Sequence, residues 1–366
     1  MKEWNNPFSS FNSFKVLLWR QHLEGCATEK FLSPVTTDFD LSGRCSFQCV
    51  WCNAHKIINN KVKDLPTKHW LKVSDFIAKW GAKSSCIAGG GEPLMHEGFN
   101  DIIKRQQKNN LESGVITNGV MIDYEHIWTM ADTCRWVGFS MDASTTETYM
   151  KVKGIKNSKT FYKVIDNINN LANQIKQTNS VCEIGYKFLI HPFNAHEIYE
   201  AAKLAKSIGV NDFHSRPVGF DNVPKSHAEG MEGLNLDDLV KVVEEQIEKA
   251  LELEDENFHV YGVRHKFNSN MKRKVNFEKC RAIPLLATFA ADGKVYLCFD
   301  MRGKQDTILC SHYPNPKEIL KIWGSKFHIK MIRNINPNEC PRCTFGVYNE
   351  IVEKVIMKDG MCLNFP

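Results

Sequence analysis

The chain has 366 residues, of which 43% are hydrophobic and 24% are charged, and its formal net charge is +5 at pH 7. This is the composition of a soluble globular protein with room for one large and one smaller domain. The mild charge argues against a nucleic-acid partner. Because no apolar run could cross a bilayer and the first residues lack the apolar core of a secretion signal, we expect a cytoplasmic protein without a membrane partner.

Strand-like and helix-like patterns alternate through the first two thirds of the chain. Apolar residues recur every three to four positions around Trp70, Phe161 and Ile198, which predicts amphipathic helices. Such alternation is typical of right-handed crossover units around a parallel sheet, so the predicted fold class is α/β, as an incomplete barrel or an open sheet. Six runs have strand character: residues 35–41, 84–89, 113–118, 136–143, 183–191 and 212–218.

Polar or glycine-rich residues lie at the end of nearly every predicted strand. In parallel α/β folds the loops at the carboxyl ends of the strands converge on one mouth, and chemistry gathers there. The sequence therefore predicts a binding site at this mouth. In chain order the residues are a cysteine trio, the GGGEP sequence of residues 89–93, Asn118, Ser140, Asp142, Lys187, His191, His214 and Arg216.

Cys45, Cys49 and Cys52 form the trio, with C-x3-C-x2-C spacing, in a chain of 13 cysteines. That number is high for a cytosolic protein, where disulfides seldom persist, and it favours metal or reactive-thiol use. Three thiolates can hold three irons of a cubane and leave the fourth iron open. A zinc site with His55 as fourth ligand is the alternative, and the polar residues in this segment disfavour three unrelated buried thiols.

A second cysteine pattern follows an amphipathic helix predicted over residues 235–255. Residues 285–298 have the pattern of a hairpin with Asp292-Gly293 as its turn. Four cysteines at and beyond this hairpin could present thiolates tetrahedrally, and a zinc ribbon would use the same geometry. They are Cys280, Cys298, Cys340 and Cys343, while Cys310 and Cys362 stay unassigned.

The trio, the aromatic Trp51 before its last cysteine and the GGGEP sequence together resemble the radical S-adenosylmethionine (radical SAM) superfamily. The resemblance runs from residue 33 to residue 220 and implies a partial (β/α)6 TIM-like barrel. It also implies that Cys45, Cys49 and Cys52 ligate a 4Fe-4S cluster. The open iron of that cluster would be chelated by the amino and carboxylate groups of SAM.

The same resemblance implies roles for other residues at the mouth. Glycines allow close backbone approach, and a carboxylate suits an ammonium. For the SAM methionine amino group the implied residues are Gly90, Gly91 and Glu92; for the adenine, Trp51; for the ribose or methionine, Asn118, Ser140 and Asp142; and for the SAM carboxylate, Arg216. The candidates for binding substrate or taking a proton are Lys187, His191, His214 and Arg216, with Cys310 as a further donor.

The later cysteines resemble the auxiliary-cluster domains called SPASM and its shortened form, twitch. Full SPASM domains have two more closely spaced cysteines, which this chain lacks after Cys343. The resemblance therefore implies a smaller α+β twitch-like domain with one auxiliary 4Fe-4S cluster on Cys280, Cys298, Cys340 and Cys343. A second partial cluster using Cys310 and Cys362 is the alternative. The expected domains are an N-terminal extension, the barrel, a linker helix with its connection, and the auxiliary domain, at residues 1–32, 33–234, 235–275 and 276–366.

The resemblance implies reductive cleavage of SAM to a 5'-deoxyadenosyl radical, with an electron donor of the flavodoxin or ferredoxin type. The expected reaction is the oxidation of a polar small molecule, as in twitch enzymes that oxidise an aminocyclitol alcohol, with the auxiliary cluster accepting an electron. Epimerisation or cross-linking of a ribosomal peptide is the alternative. It is less expected because few residues precede the first strand, although leader binding can be supplied in trans. A third hypothesis, from another class, is a non-catalytic zinc or iron-sulfur protein that serves as an electron carrier or scaffold. It would not explain the polar residues at the strand ends.

Overall fold

The computed structural model describes residues 12–54, 57–218, 235–263, 274–340 and 343–357. Within these residues ten strands form one sheet, in the order β10-β9-β8-β1-β2-β3-β4-β5-β6-β7. The strands are β1 (Thr36–Phe39), β2 (Ser84–Ile87), β3 (Glu112–Thr117), β4 (Cys134–Ser140), β5 (Glu183–Ile190), β6 (Asp212–Pro217), β7 (His259–Gly262), β8 (Leu286–Phe289), β9 (Lys294–Tyr296) and β10 (Ile308–Ser311).

The central part of the sheet is parallel and follows chain order from β1 to β7. This confirms the predicted α/β partial barrel, since neighbouring strands are joined by crossover connections. The sequence did not predict that β8 pairs in parallel with β1, with Leu286 opposite Thr36. The predicted hairpin is present as antiparallel β8 and β9, and Gly293 in its turn has a φ of +80°. The carboxyl-terminal region therefore continues the barrel sheet.

Helices lie between the strands, and those predicted from apolar spacing are present. The helix around Trp70 is followed by Gly81, whose φ of +117° suits glycine and ends the helix. The helices are α1 (Arg20–Thr28), α2 (Thr67–Trp80), α3 (Phe99–Lys108), α4 (Tyr124–Thr133), α5 (Thr146–Lys153), α6 (Lys159–Thr178), α7 (Ile198–Ser207), α8 (Leu236–Leu251), α9 (Ile319–Ile322), α10 (Lys326–Arg333) and α11 (Gly346–Ile351).

Alternation along β1 separates the hydrophobic core from the barrel interior. Phe39 packs against Trp70 of α2, with ring centroids 5.2 Å apart, and both side chains are fully buried. Thr36 and Asp38 lie on the opposite face and line a cavity. Because successive side chains of a strand point to opposite faces, the same strand supplies core on one side and site on the other.

No helix among the described residues combines the length and the apolar character that a membrane crossing requires. The predicted zinc ligand His55 and the unassigned Cys362 lie outside the described residues. The domain limits remain predictions, and the one at residue 234 borders a segment outside the described ranges.

Candidate active site

The cysteine trio lies on the loop that follows β1, and all three side chains are partly buried. Asn60 holds Cys45 by two hydrogen bonds: the Cys45 amide donates to Asn60 Oδ1 at 2.9 Å, and Asn60 Nδ2 donates to the Cys45 carbonyl at 3.1 Å. The Phe47 amide points at Cys45 Sγ from 3.5 Å, and Asn118 Nδ2 approaches it to 4.0 Å. The loop is therefore fixed, and hydrogen-bond donors face one of its sulfurs.

Burial raises the pKa of the Cys45 thiol to about 11 and that of Cys49 to about 12. Neighbouring thiolates contribute to these increases in pKa: Cys52 contributes to both, and Cys45 also contributes to that of Cys49. As thiolates the three would repel one another, and an iron cluster supplies the positive centre that deprotonates and binds them. The donor set thus fits a cluster.

The glycine-rich loop packs directly on the cysteine loop. The Gly91 amide donates to the Ser42 carbonyl at 2.9 Å, and the Glu92 amide donates to the Arg44 carbonyl at 2.7 Å. A Cβ on Gly91 would lie 2.1 Å from the Arg44 carbonyl oxygen, so only glycine fits there. Gly91 is therefore required because the backbone of Arg44 packs closely against it.

The Glu92 carboxylate is 3% exposed and accepts three hydrogen bonds from the protein. Its Oε1 accepts from Thr117 Oγ1 at 2.6 Å and from the Leu94 amide at 3.2 Å, and its Oε2 accepts from the Asn118 amide at 2.8 Å. These bonds join the loop after β2 to the end of β3. Sequence reasoning placed Glu92 on the SAM ammonium, but in this structure both carboxylate oxygens already have donors.

Asp142 forms a buried ion pair with Lys153, the last residue of α5. Its other oxygen accepts from the Leu189 amide at 2.6 Å, and its φ of +60° is rare outside glycine. The Lys153 carbonyl accepts from the Gln48 amide at 3.0 Å, which fixes the end of α5 against the cysteine loop.

Sequence reasoning missed Lys153, whose side chain is 1% exposed. Burial alone would lower the pKa of Lys153, but the charges of Asp142 and Cys49 raise it above its usual range. The structure therefore places a permanent cation beside the trio. The available signal was weak: Lys153 follows Tyr149 by four residues on the buried side of α5.

The aromatic Trp51 lies against His191, with ring centroids 5.2 Å apart. His191 Nδ1 accepts from the Phe193 amide at 3.2 Å, which leaves the ring proton on Nε2. Burial, with a smaller effect of Lys151, lowers the pKa of His191 to about 4. Its Nε2 has no hydrogen-bond partner among the described residues. The ring is thus neutral and suited to donate a hydrogen bond rather than to take a proton.

A cavity of about 720 Å³ occupies the barrel interior. The predicted residues Ser140, Asp142, Lys187, His214 and Arg216 all line it. Lys187 is held there by Asp212, with 2.9 Å between Nζ and Oδ1. The wall also includes the predicted auxiliary ligand Cys343 and four residues that the sequence did not point to: Cys86, Phe299, Arg302 and Thr344.

The four later cysteines are electrostatic neighbours of one another, and Cys343 among them lines this cavity. Burial raises the pKa of Cys280 and of Cys298, and thiolates within the group raise both further: Cys343 acts on each, Cys340 acts on Cys280, and Cys280 acts on Cys298. The charged groups that act on the pKa of Cys310 are Glu318 and Lys294 rather than other cysteines.

Among the described residues no group of three or more His, Cys, Asp or Glu is close enough to hold a single metal ion. A cubane takes each thiolate at a separate iron and so spreads its ligands more widely than one zinc ion, which needs sulfurs at about 2.3 Å.

Comparison with known proteins relates part of this chain to a family. Residues 40–186 match the model of the radical SAM superfamily, and this span includes the trio, the glycine-rich loop, β2 to β4 and the start of β5. A PqqA peptide cyclase from Granulibacter bethesdensis is 29% identical over 84 residues, which is 23% of this chain and 22% of that protein. An S-adenosylmethionine-dependent nucleotide dehydratase from Selenomonas ruminantium is 24% identical over 162 residues, 43% of this chain and 57% of that protein. The chain thus spans between about a fifth and somewhat over half of these relatives' lengths.

Solved structures share the fold over most of the chain. Streptococcus suis SuiB bound to S-adenosylmethionine superposes with a TM-score of 0.62 at 16% identity, covering 95% of this chain and 81% of that one. Native anSMEcpe with bound AdoMet gives a TM-score of 0.55 at 17% identity, covering 82% of this chain and 83% of that one. Residues 40–186, with the cysteine loop and the glycine-rich loop, thus match the radical SAM superfamily, which uses a 4Fe-4S cluster and SAM.

Proposed function

We propose that this protein oxidises a polar small molecule by radical chemistry, with a second cluster at the later cysteines accepting an electron. One observation carries the proposal: a single cavity is lined by Ser140 and Asp142, which the resemblance assigns to SAM, and by Cys343 of the auxiliary cysteine group. A substrate in this cavity would contact both groups. When bound, the first cluster and SAM supply the 5'-deoxyadenosyl radical that abstracts a hydrogen atom.

Different residues of the chain would then bind the cluster, contact the substrate and take up the proton. Cys45, Cys49 and Cys52 would hold the first cluster, and Lys153 would offset negative charge at Cys49. The substrate would lie against His214 and Arg216 in the cavity wall. We assign proton uptake to His214, because Asp212 already engages the Lys187 ammonium and His191 has its Nδ1 occupied.

The electron balance of such an oxidation gives the second cysteine group a role as electron acceptor. Loss of one hydrogen atom, then of one proton to His214 and one electron to the auxiliary group, is a two-electron oxidation of an alcohol to a carbonyl. Four thiolates fill four irons, so a cluster on Cys280, Cys298, Cys340 and Cys343 would relay electrons rather than bind substrate. A flavodoxin or ferredoxin-type protein would supply the reducing electron.

Radical modification of a peptide is the second candidate. The relative from Granulibacter bethesdensis is a peptide cyclase, and SuiB has also been solved bound to its precursor peptide SuiA, with a TM-score of 0.62. Such a substrate would enter the same cavity and meet the same residues. The two readings differ in the product, which is a carbonyl in one case and an epimerised or cross-linked peptide in the other.

Anaerobic reconstitution followed by iron and sulfide counting tests the proposal. We expect about eight irons per chain and 5'-deoxyadenosine formation with SAM and dithionite. About four irons would remove the auxiliary cluster. Zinc with little iron, or no 5'-deoxyadenosine from a fully loaded sample supplied with polar alcohols and peptides, would favour the carrier or scaffold reading instead.

A further inference from the structure

Two openings of the protein reach the auxiliary cysteine group. Cys343 lines the large cavity in the barrel, and Cys280 lines a narrow crevice formed with residues of α1 and α10. The cavity and the crevice share no lining residue. An electron that reaches this group from the cavity therefore has a separate route toward solvent at Cys280.

The crevice is too small for a small-molecule electron acceptor. Its volume is about 10 Å³, which is close to that of a single water-sized sphere. Cys26, Phe31 and Ile332 make part of its wall apolar, and Cys280 itself is 7% exposed. A redox partner would therefore approach Cys280 by covering the crevice with its own surface.

Positive charge surrounds the crevice. Glu29, which follows α1, accepts from Arg333 Nε at 2.8 Å, and Arg281 and Lys279 act on the same carboxylate. These cations hold the pKa of Glu29 below its usual range, and the hydrogen bond from Arg333 is the largest cause. One ionised carboxylate thus lies among three cations at the rim of the crevice.

Helix α10 extends this positive charge. Lys326, Lys330 and Arg333 recur at i, i+4 and i+7, which places them on one face of the helix, and all three are exposed. The helix contains no acidic residue, and its Phe327 is 50% exposed. We call this surface the auxiliary basic face. It carries five cations and three carboxylates, a net charge of +2: Lys279, Arg281, Lys326, Lys330 and Arg333, with Glu29, Glu278 and Glu353.

The chain around Cys280 is fixed by Asn349 of α11. The Asn349 Oδ1 accepts from the amides of Arg281 and Ala282, each at 2.7 Å. Its Nδ2 lies 3.8 Å from Cys280 Sγ. Because these contacts are already formed, this part of the face needs little further ordering when a partner binds.

We propose that the auxiliary basic face docks an acidic one-electron carrier protein of the flavodoxin or ferredoxin type, which takes the electron that substrate oxidation leaves at the auxiliary group. This rests on the proposed function, because it requires a cluster on those four cysteines. In each turnover the substrate loses a hydrogen atom, a proton and one electron, and the oxidised carrier is reduced by that electron. Positive charge on the face attracts an acidic surface and steers the encounter.

The test uses the full chain with Cys45→Ala, Cys49→Ala and Cys52→Ala, so that the auxiliary group alone can hold a cluster. After anaerobic reconstitution and photoreduction, the protein is mixed with an oxidised, acidic bacterial flavodoxin. Calorimetry gives the dissociation constant, and stopped-flow absorbance of the flavodoxin semiquinone gives the rate of electron transfer. Lys326→Glu with Lys330→Glu should weaken binding and slow transfer at least tenfold at about 50 mM salt. Most of this difference should vanish at about 300 mM salt.

The matched control is Lys203→Glu with Lys241→Glu, which makes the same charge change on exposed side chains of α7 and α8. It should change both measurements less than twofold. Electron transfer to benzoquinone, a small neutral acceptor that needs no docking face, should agree within about twofold in every variant. An equal loss in the control pair, an equal loss toward benzoquinone, or no loss at all would overturn the proposal.

Calorimetry is repeated in the protein with all its cysteines, so that the result does not depend on how the triple variant folds. If that protein holds only about four irons and the triple variant holds none, the second cluster and the proposed function fail. If both load as expected and flavodoxin binding ignores the charge reversal, the docking proposal alone fails. Binding of this face to phosphatidylserine vesicles in place of flavodoxin would overturn the proposal and assign the face to a membrane surface.

Discussion

The two cysteine groups differ in how the chain assembles them. The trio comes from one loop, from Cys45 to Cys52, whereas the auxiliary group draws on segments around Cys280, Cys298 and Cys340. A cluster on the trio closes a short loop, but a cluster on the auxiliary group closes a long one and removes more conformational entropy from the unfolded chain. We therefore expect substitutions in the first group to affect activity alone, and substitutions in the second group to affect both activity and the stability of the fold.

Their surroundings differ as well. Cys49 has the buried cation Lys153 as a neighbour. Cys298 has the Asp300 carboxylate, and Cys280 Sγ lies 3.8 Å from Asn349 Nδ2. Positive charge near the trio stabilises an electron added to a cluster there. The amide and the carboxylate beside the auxiliary group give an added electron less electrostatic stabilisation.

The largest effect should follow substitution in the trio. Cys49→Ala should lower 5'-deoxyadenosine formation by roughly a hundredfold or more, since even partners outside the ligand set can cost 10 to 100-fold. Iron content should fall by about four per chain. Cys134→Ala, a buried thiol at the start of β4, is the control and should keep both iron and activity. Full activity in Cys49→Ala would reject the trio as the cluster site.

Cys298→Ala should separate the two groups. We expect 5'-deoxyadenosine formation to continue, within about threefold, while oxidised product is lost because the electron acceptor is gone. Hydrogen exchange should rise in β8 and β9 but not in β3 or β4, because only the C-terminal region loses its loop closure. Cys310→Ala on β10 is the control. Unchanged product formation in Cys298→Ala would remove the electron-acceptor role.

Lys153→Met tests the buried ion pair beside the trio. It should lower the free energy of unfolding by about 3 kcal/mol, because the Asp142 carboxylate stays buried without its partner. Arg20→Met in the exposed pair with Glu24 should cost less than about 0.5 kcal/mol. Denaturant unfolding measures both. An equal, small effect at the two sites would show that the buried Asp142–Lys153 pair stabilises the fold no more than an exposed pair does.

The sequence predicted what depends on local pattern. The six barrel strands, the helices around Trp70 and Phe161 and the hairpin turn at Gly293 all follow from spacing and glycine placement, and the structure confirms them. The pairing of β8 with β1 was not predictable in this way. It joins Thr36 to Leu286 across most of the chain, and no short-range pattern encodes such a contact.

The candidate site shows the same difference between features set by local pattern and features set by contacts distant in the chain. Residue type and strand position identified Ser140, Lys187 and His214, which line the cavity as expected for strand ends. Hydrogen-bond partners could not be read from the sequence, so it did not show that Glu92 accepts three hydrogen bonds from the protein or that Asp40 pairs with Arg302. Both facts depend on neighbours from other strands and loops.

The smallest expected effect tests how the two regions are joined. Buried His69 of α2 donates from Nε2 to His312 Nδ1 at 2.9 Å, and His312 donates from Nε2 to the Ala290 carbonyl at 2.9 Å. Burial, with Lys72, lowers the pKa of His69 to about 4, and burial, with His69 and Lys294, lowers that of His312 to about 3. Both rings are therefore neutral in the folded protein at neutral pH.

A histidine whose folded pKa is depressed contributes stability that is present above its unfolded pKa of about 6.5 and is lost as pH falls toward the folded value. His69→Gln keeps an N–H donor for His312 but cannot titrate. It should reduce the loss of unfolding free energy between pH 7 and pH 5.5 by about 1 kcal/mol relative to wild type. His196→Gln, at an exposed side chain, should leave that loss unchanged. If His69→Gln keeps the wild-type pH slope, the contact between α2 and the C-terminal region does not depend on neutral histidine, and the two regions are held by their shared sheet instead.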